Sequence, residues 1–582
     1  MLVEHMVGLP KLDNILRDGR KIQAKTEGGG WFVDFILSGM DVTTVISDED
    51  REKIPREGPV IVVSNHPFGG IEGVIMQSLI LNRRPDSKIM ANYILQLIPE
   101  LRDQFIPVNP FGTKEASKQN ITPLLESMKW LKAGHAIGIF PAGEVSSIDL
   151  RSGRVRDPAW SSTVAGMARK TGATVVPLFF AGRNPAAFQI AGLIHPRLRT
   201  MMLPSMTNNK RRHKVQAYVG NPIRPSEMAR FASDEELAKY FRLRSYSLEG
   251  RASKKNPKHK QLLLRRRNKQ DEKGLEGIIP ETPADRIEAE IASLPKEAQL
   301  ISGELDVYFT TLPPDSSILR EIGRLREITF REVGEGTGRK TDIDVFDSHY
   351  HHLFLWSTKS RQIVGAYRLG LADNIQKKFG AEGLYTNTLF KFDDKFLKKF
   401  QPAIELGRSF VRPEWQRTFA PLLFLWKGIG KFISQNPQYA NLFGPVSITA
   451  DYQDASRNML LRSLRLSNFS TEYERLVKPR TKPRKTKKKE EWQNPAFDDF
   501  IGDVDEVSKI IQDIEKDHKG VPILIKQYLK LGGKILAFNL DPDFNDVVDG
   551  LILIDIRKTD KKTRIRYMGE EADEIFREYH KL

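Results

Sequence analysis

"VVSNHPFGGIEG", residues 62–73, joins an apolar β-branched run to a histidine, a turn with two glycines and a carboxylate. The run "VIVV" (60–63) reads as a buried strand. Gly69 and Gly70 let the chain turn tightly and let a substrate approach the backbone. Beyond the turn, Ile71, Val74, Ile75 and Leu79 keep helical spacing. His66 therefore stands at a strand end with Glu72 just past the turn. This is a general-base arrangement, because a carboxylate fixes the imidazole tautomer and stabilises the imidazolium. An imidazole pKa of about 6.5 suits proton removal from a hydroxyl near neutral pH. A buried structural histidine ahead of a turn is the other reading of the same residues.

Outward from this stretch, strands and helices alternate. "AIGIF" (136–140) and "TVVPLFF" (174–180) are further strands, so residues 1–250 read as an α/β domain on a mostly parallel sheet. Residues 251–284 form a charged linker. A second α/β domain spans 285–582, with strands at 352–356, 363–369 and 403–411 and a helix at 422–434. Its basic stretch 478–491 carries two prolines and no other apolar residue, which predicts a disordered loop or insertion.

The chain has 582 residues, a formal net charge of +17 and no cysteine. Disulfides, a thiolate nucleophile and Cys-based zinc sites are excluded. The charge points to an anionic partner. No apolar run reaches the about 18 residues that a membrane span requires. The N-terminus lacks the apolar core of a signal peptide. "NPAAFQIAGLIHPRLRTMMLP" (184–204) reads as a membrane-facing segment, with Phe188, Ile190, Leu193, Ile194, Leu198, Met201 and Met202 beside Arg197 and Arg199; a core helix under a basic loop is the other reading. "HYHH" (349–352) lacks a second ligand cluster, so no metal site is expected. The basic stretch lacks the interleaved aromatics of a nucleic-acid module, so no nucleic-acid partner is expected.

Four blocks follow one another: "NHPFGGIEG", "FIPVNP" (105–110), "GIFPAGEVS" (138–146) and "VVPLFFAG" (175–182). In this order they resemble the glycerolipid (lysophosphatidic-acid) acyltransferases. The resemblance implies that His66 activates an acceptor hydroxyl to attack an acyl thioester and that Glu72 orients it. It implies substrate contacts at Asn65, Gly69, Gly70, Asn109, Phe140, Pro141, Gly143, Glu144 and Pro177. Two departures matter. The family's first block is H-x-x-x-x-D, whereas here the carboxylate comes one position later. Its third block is F-P-E-G-T-R, whereas Ala142 and Val145 replace the Glu and Arg linked to glycerol phosphate. The guanidinium that would grip a phosphate is missing.

In the second half, "DIDVFD", "GAYRLG" and "ELGRSFV" resemble the N-acyltransferases related to ornithine-lipid and acyl-homoserine-lactone synthases, on a GNAT-like fold. The resemblance implies Glu405 as the catalytic proton acceptor. Arg326, Phe330, Asp344, Asp347, Arg368 and Arg408 become binding residues. A structural Glu405–Arg408 ion pair is the alternative. "QRTFAPLLFLWKG" (416–428) has Ala and Pro where a coenzyme A loop needs glycines.

These readings combine into a fused, bifunctional ornithine-lipid-type synthase. The second domain would N-acylate an amino acid with a 3-hydroxyacyl chain. The first would O-acylate the product. Expected partners are acyl carrier protein as thioester donor, an anionic membrane surface, and lipid and amino-acid substrates. No cofactor is expected. The expected location is cytoplasmic, peripheral on the inner face of the cell membrane. Two other functions fit the residues: a lysophospholipid acyltransferase with a non-catalytic second domain, and a non-enzymatic membrane- or nucleic-acid-binding protein.

Overall fold

In the computed structural model, Val60–Ser64 is a strand buried at every position. A parallel strand covered on both faces requires such a continuous apolar run. The structure describes residues 9–26, 29–93, 98–109, 118–150, 153–194, 202, 206, 213–252, 275–416, 418, 420–473, 475–483, 491–542, 544 and 547–582. The chain forms two units. The first is Met1–Lys254 with Lys488–Phe500 and Lys509–His518. The second is Lys255–Lys487 with Ile501–Ser508 and Lys519–Leu582.

The first unit contains β1 (Thr43–Val45), β2 (Val60–Ser64), β3 (Ser87–Asn92), β4 (Phe105–Val108), β5 (Ala136–Ile139), β6 (Ser147–Asp149), β7 (Arg154–Arg156), β8 (Thr174–Ala181) and β9 (Lys214–Val219). The main sheet runs β1-β9-β8-β2-β5-β3-β4, and β6 and β7 pair separately. Within the main sheet only β8 and β9 are antiparallel. The helix Ile71–Leu81 buries Ile71, Ile75, Met76, Leu79 and Ile80 in the same core as Val60 and Val62. Each such side chain contributes about 1.5–3 kcal/mol.

Two late segments belong to this unit, which a contiguous division of the sequence did not anticipate. A buried ion pair helps to explain why. Arg244 meets Asp513 at 2.6 Å, with side-chain exposures of 2% and 0%. Asp513 Oδ1 also accepts the Asn221 N–H at 2.7 Å.

The second unit contains β10 (Gln299–Ile301), β11 (Asp306–Thr310), β12 (His351–Ser357), β13 (Gln362–Leu371), β14 (Phe390–Phe392), β15 (Ala403–Val411), β16 (Asn441–Ile448), β17 (Val477–Pro479), β18 (Lys534–Asp541) and β19 (Val547–Asp555). Its main sheet runs β10-β11-β12-β13-β15-β16-β19-β18. Only β15 and β16 are parallel, and they pair over Ala403–Glu405 alone. Past Glu405 the two strands part.

Two expectations are corrected. The start of the basic stretch is ordered: Val477–Pro479 pairs with Phe390–Phe392, and Thr481 N–H donates to Asn539 Oδ1 at 2.9 Å. Residues 484–490 lie outside the described residues. In the last part of the charged linker, Glu276 N–H donates to Gly338 O at 3.0 Å and Thr282 N–H to Glu321 Oε2 at 3.0 Å. In the segment read as membrane-facing, Phe188 is fully buried with Val145 and Met206, and Met202 packs on them. Ile190 is exposed. Leu198 and Met201 lie outside the described residues, and the side chains of Leu193 and Ile194 are not described.

Candidate active sites

The turn after β2 wraps around the Glu72 carboxylate. Phe68 and Gly69 N–H groups donate to Oε1 at 2.8 and 2.7 Å, and Gly70 N–H donates to Oε2 at 3.0 Å. Gly69 has φ +90°, a conformation that disfavours a Cβ. His66 Nδ1 lies 2.9 Å from Glu72 Oε1. His66 Nδ1 is buried at this contact. Burial opposes the Glu72 charge, but His66 and the backbone donors outweigh it and hold the carboxyl below its ordinary value. The His66 ring stacks on Phe140 at 4.3 Å. With Nδ1 turned to Glu72, Nε2 is left to meet an acceptor hydroxyl.

Asp157 anchors the backbone of this site. Its Oδ1 accepts the His66 backbone N–H at 3.2 Å and the Ser146 hydroxyl at 2.5 Å. Oδ2 accepts the Trp160 indole N–H at 3.0 Å. The Asp157 N–H donates to the Tyr246 hydroxyl at 2.9 Å, and its carbonyl accepts from Arg242 at 3.0 Å. Ser146 N–H in turn donates to the His66 carbonyl at 2.8 Å. The histidine-bearing and third-block segments are thus tied through one carboxylate.

In the second unit, Glu405 sits on β15 where the strands part. It is 1% exposed. Oε1 accepts the Thr386 N–H at 2.6 Å, and Oε2 accepts the Tyr350 hydroxyl. Burial raises its carboxyl above the ordinary value, and the Tyr350 and Thr386 hydrogen bonds only partly offset this. Such a group is poised to take a proton. Arg408 has φ +47°, beside a register shift between Ala366 and Arg368. That conformation costs roughly 1–2 kcal/mol. Arg408 Nε lies 3.3 Å from Asp342 and its Nη1 donates to the Tyr385 hydroxyl at 3.2 Å.

Beneath Glu405, arginines and aspartates alternate. Arg368 donates to Asp344 at 2.5 Å and lies 3.3 Å from Asp347, which pairs with Arg326 at 2.8 Å. Burial opposes the Asp347 charge, but Arg326 and Arg368 outweigh it and hold the carboxyl well below its usual range. His352 is pushed down to about 3, by burial first and then by Arg326.

Residues 31–253 match a family model described as acyltransferase, and residues 325–427 match one described as acetyltransferase (GNAT) domain. A glycine N(alpha)-acyltransferase of Phocaeicola vulgatus is 30% identical over 310 residues, covering 50% of this chain and 93% of that protein. The chain belongs to this acyltransferase family. A lyso-glycine lipid O-acyltransferase of Phocaeicola vulgatus is 27% identical over 249 residues, covering 40% of this chain and 84% of that protein. An L-ornithine N(alpha)-acyltransferase of Rhodobacter capsulatus is 28% identical over 275 residues, covering 45% of this chain and 94% of that protein. This acyltransferase therefore joins an acyltransferase domain to a GNAT domain in one polypeptide.

The structure places the other expected contact residues of this acyltransferase in the following surroundings. The Asn65 side chain brackets the Phe180 backbone, donating to its carbonyl at 3.0 Å and accepting its N–H at 2.8 Å. Pro177 is buried opposite Val63 in the sheet. Phe330 packs on the apolar core with Ile322 and Phe354. Arg326 is fully buried and supports Asp347. Asn109 hydrogen-bonds Gln119 and Asn120. Pro141 is buried, and its carbonyl accepts the Ser161 N–H at 3.0 Å. Gly143 turns at φ +67°, and Glu144 is exposed. Val145, in place of the family's arginine, is 7% exposed in an apolar cluster. Sequence reading missed Asp157, Tyr350, Tyr385 and Thr386. Tyr350 lay within "HYHH", read only for metal.

Proposed function

We propose that this acyltransferase makes a diacylated aminolipid in two steps. The GNAT domain N-acylates an amino acid. The amine nitrogen attacks a thioester carbonyl, the C–N bond forms, the C–S bond breaks, and Glu405 takes the amine proton. The first domain then O-acylates the 3-hydroxyl of the new acyl chain. His66 takes that hydroxyl's proton, and the thiol leaves. A 3-hydroxyacyl group in the first step supplies the acceptor for the second. The observation that carries the reading is one proton-accepting centre in each unit, His66–Glu72 and Glu405–Tyr350.

Acyl carrier protein is the proposed donor in both steps, without a cofactor. No glycine lies between Gln416 and Lys427, where close backbone approach to a pyrophosphate would need one. The +17 charge would steer an acidic carrier. Among the described residues no helix is long and apolar enough to cross a membrane. Peripheral binding to the inner face of the cell membrane, through charge, is proposed on that basis.

The test is lipid mass spectrometry in a bacterial host that makes no aminolipids. Wild type should yield the diacylated lipid, His66→Ala the monoacylated N-acyl compound, and Glu405→Gln neither. Loss of both products in a folded His66→Ala variant would refute the division of labour.

A further inference from the structure

A carboxamide is buried unmatched beside His66. Gln189, in the helix Ala186–Ile194, is 7% exposed, and among the described residues neither its Oε1 nor its Nε2 has a hydrogen-bond partner. A buried amide left unpaired is costly unless a ligand meets it.

The neighbours of Gln189 place it at the site. Asn184, just before the helix, donates through Nδ2 to the Phe68 carbonyl at 3.0 Å, and the Phe68 N–H holds Glu72. The helix lies against β6, the strand that follows Ser146, whose N–H donates to the His66 carbonyl. Phe188 packs with Val145, which replaces the arginine that grips phosphate in the glycerolipid family.

The free ends of the carboxamide, one acceptor and one donor, select the ligand. A phosphate offers acceptors only and would leave Oε1 unmet. An N-acyl α-amino acid offers an amide N–H and a carboxylate oxygen. In an extended residue these lie along one edge, as they do in a strand, so a single carboxamide meets both. An ester or a thioester lacks the N–H. In an N-(3-hydroxyacyl) amino acid the hydroxyl oxygen and the amide nitrogen are at most about 5 Å apart. A side chain that reads the amide therefore belongs to the surroundings of the base.

We propose that Gln189 determines the specificity of O-acylation: its Oε1 accepts the amide N–H of the N-acyl amino acid, and its Nε2 donates to the carboxylate. The first unit then acylates the 3-hydroxyl only once the amide exists, and spares the same hydroxyl on a 3-hydroxyacyl thioester. This rests on the O-acylation proposed above and assigns the residue that directs it.

The experiment uses the full chain and an acyl thioester of acyl carrier protein, reads thiol release, and takes His66→Ala as the blank. The acceptors are the N-(3-hydroxypalmitoyl) amides of glycine and leucine, the esters of the matching 2-hydroxy acids, and 3-hydroxypalmitoyl methylamide, which lacks the carboxylate. Wild type should use each amino-acid amide at least about tenfold better in kcat/KM than its ester or the methylamide. Gln189→Met keeps the side-chain length without the amide. It should lower the amino-acid amides by about tenfold or more and leave the esters and the methylamide within about threefold. Gln189→Leu, made alongside, should do the same. Calorimetric titration without donor separates binding from chemistry: the amino-acid amides should bind Gln189→Met at least about fivefold more weakly than wild type, and the esters equally. That pattern without any transfer to the hydroxyl would keep the seat and refute the O-acylation. Equal use of amide and ester by wild type would overturn the seat, whether or not the variants fold. So would an equal loss for every acceptor in Gln189→Met, or an amide preference that survives the substitution.

Discussion

Glu72→Gln keeps the shape of a fully buried carboxylate and removes its charge. Both carboxylate oxygens accept backbone N–H groups, two on Oε1 and one on Oε2. Whichever way the new amide turns, its NH2 group faces at least one N–H donor. One buried unmet donor costs about 1–3 kcal/mol, and losing charge assistance at the others brings the total to about 2–4 kcal/mol. The sign with pH follows from the lowered Glu72 pKa. The stabilisation is fully present above the ordinary carboxylate value of about 4.3 and is lost as pH falls through the lower folded value. The stability gap between wild type and variant should therefore be open at pH 7 and close in acid. Turnover should respond more strongly, because His66 loses its orienting charge. A fall of about 10²–10⁴ in O-acylation is expected. N-acylation by the other unit is the internal control. The assay pairs urea unfolding at several pH values with separate N- and O-acylation rates. O-acylation within about threefold of wild type, with N-acylation intact, would refute the dyad.

Asp157→Asn should lower O-acylation kcat about tenfold or more with little change in KM, because Asp157 is buried and fixes the His66 backbone; Asp157→Glu, measured alongside, should restore part of the loss. Glu405→Gln should cut N-acylation about 10²–10⁴-fold and flatten a kcat/KM profile that, in wild type, rises with pH through a value above the ordinary carboxylate range. Glu335 is raised to about 7, chiefly by burial. The folded state therefore holds this proton where the unfolded chain has lost it, so wild type loses stability as pH rises from about 4.3 through 7, by up to about 3 kcal/mol. Glu335→Gln should lack that decline in urea midpoints at pH 5 and pH 8, and an unchanged decline would show that another group carries it.

The sequence by itself determined the elements and the reactive residues that lie near one another in the chain. Apolar runs such as 60–63 and 136–140 became Val60–Ser64 and Ala136–Ile139, because a buried strand needs an unbroken apolar row. His66 and Glu72 were legible because one strand end, one turn and one helix start set their separation. The tertiary structure alone decided what crosses the sheets. Asp157 is 91 residues from His66, and no local period links them. Tyr350 meets Glu405 through the order β12-β13-β15. Gln189 reaches the surroundings of His66 only through the contact of its helix with β6 and of Phe188 with Val145. Asn65, Pro177 and Phe330 show the converse. A motif reports that a residue type is required at a position. Whether its side chain faces a substrate or a neighbouring strand is set by register and burial, and a linear sequence does not carry these.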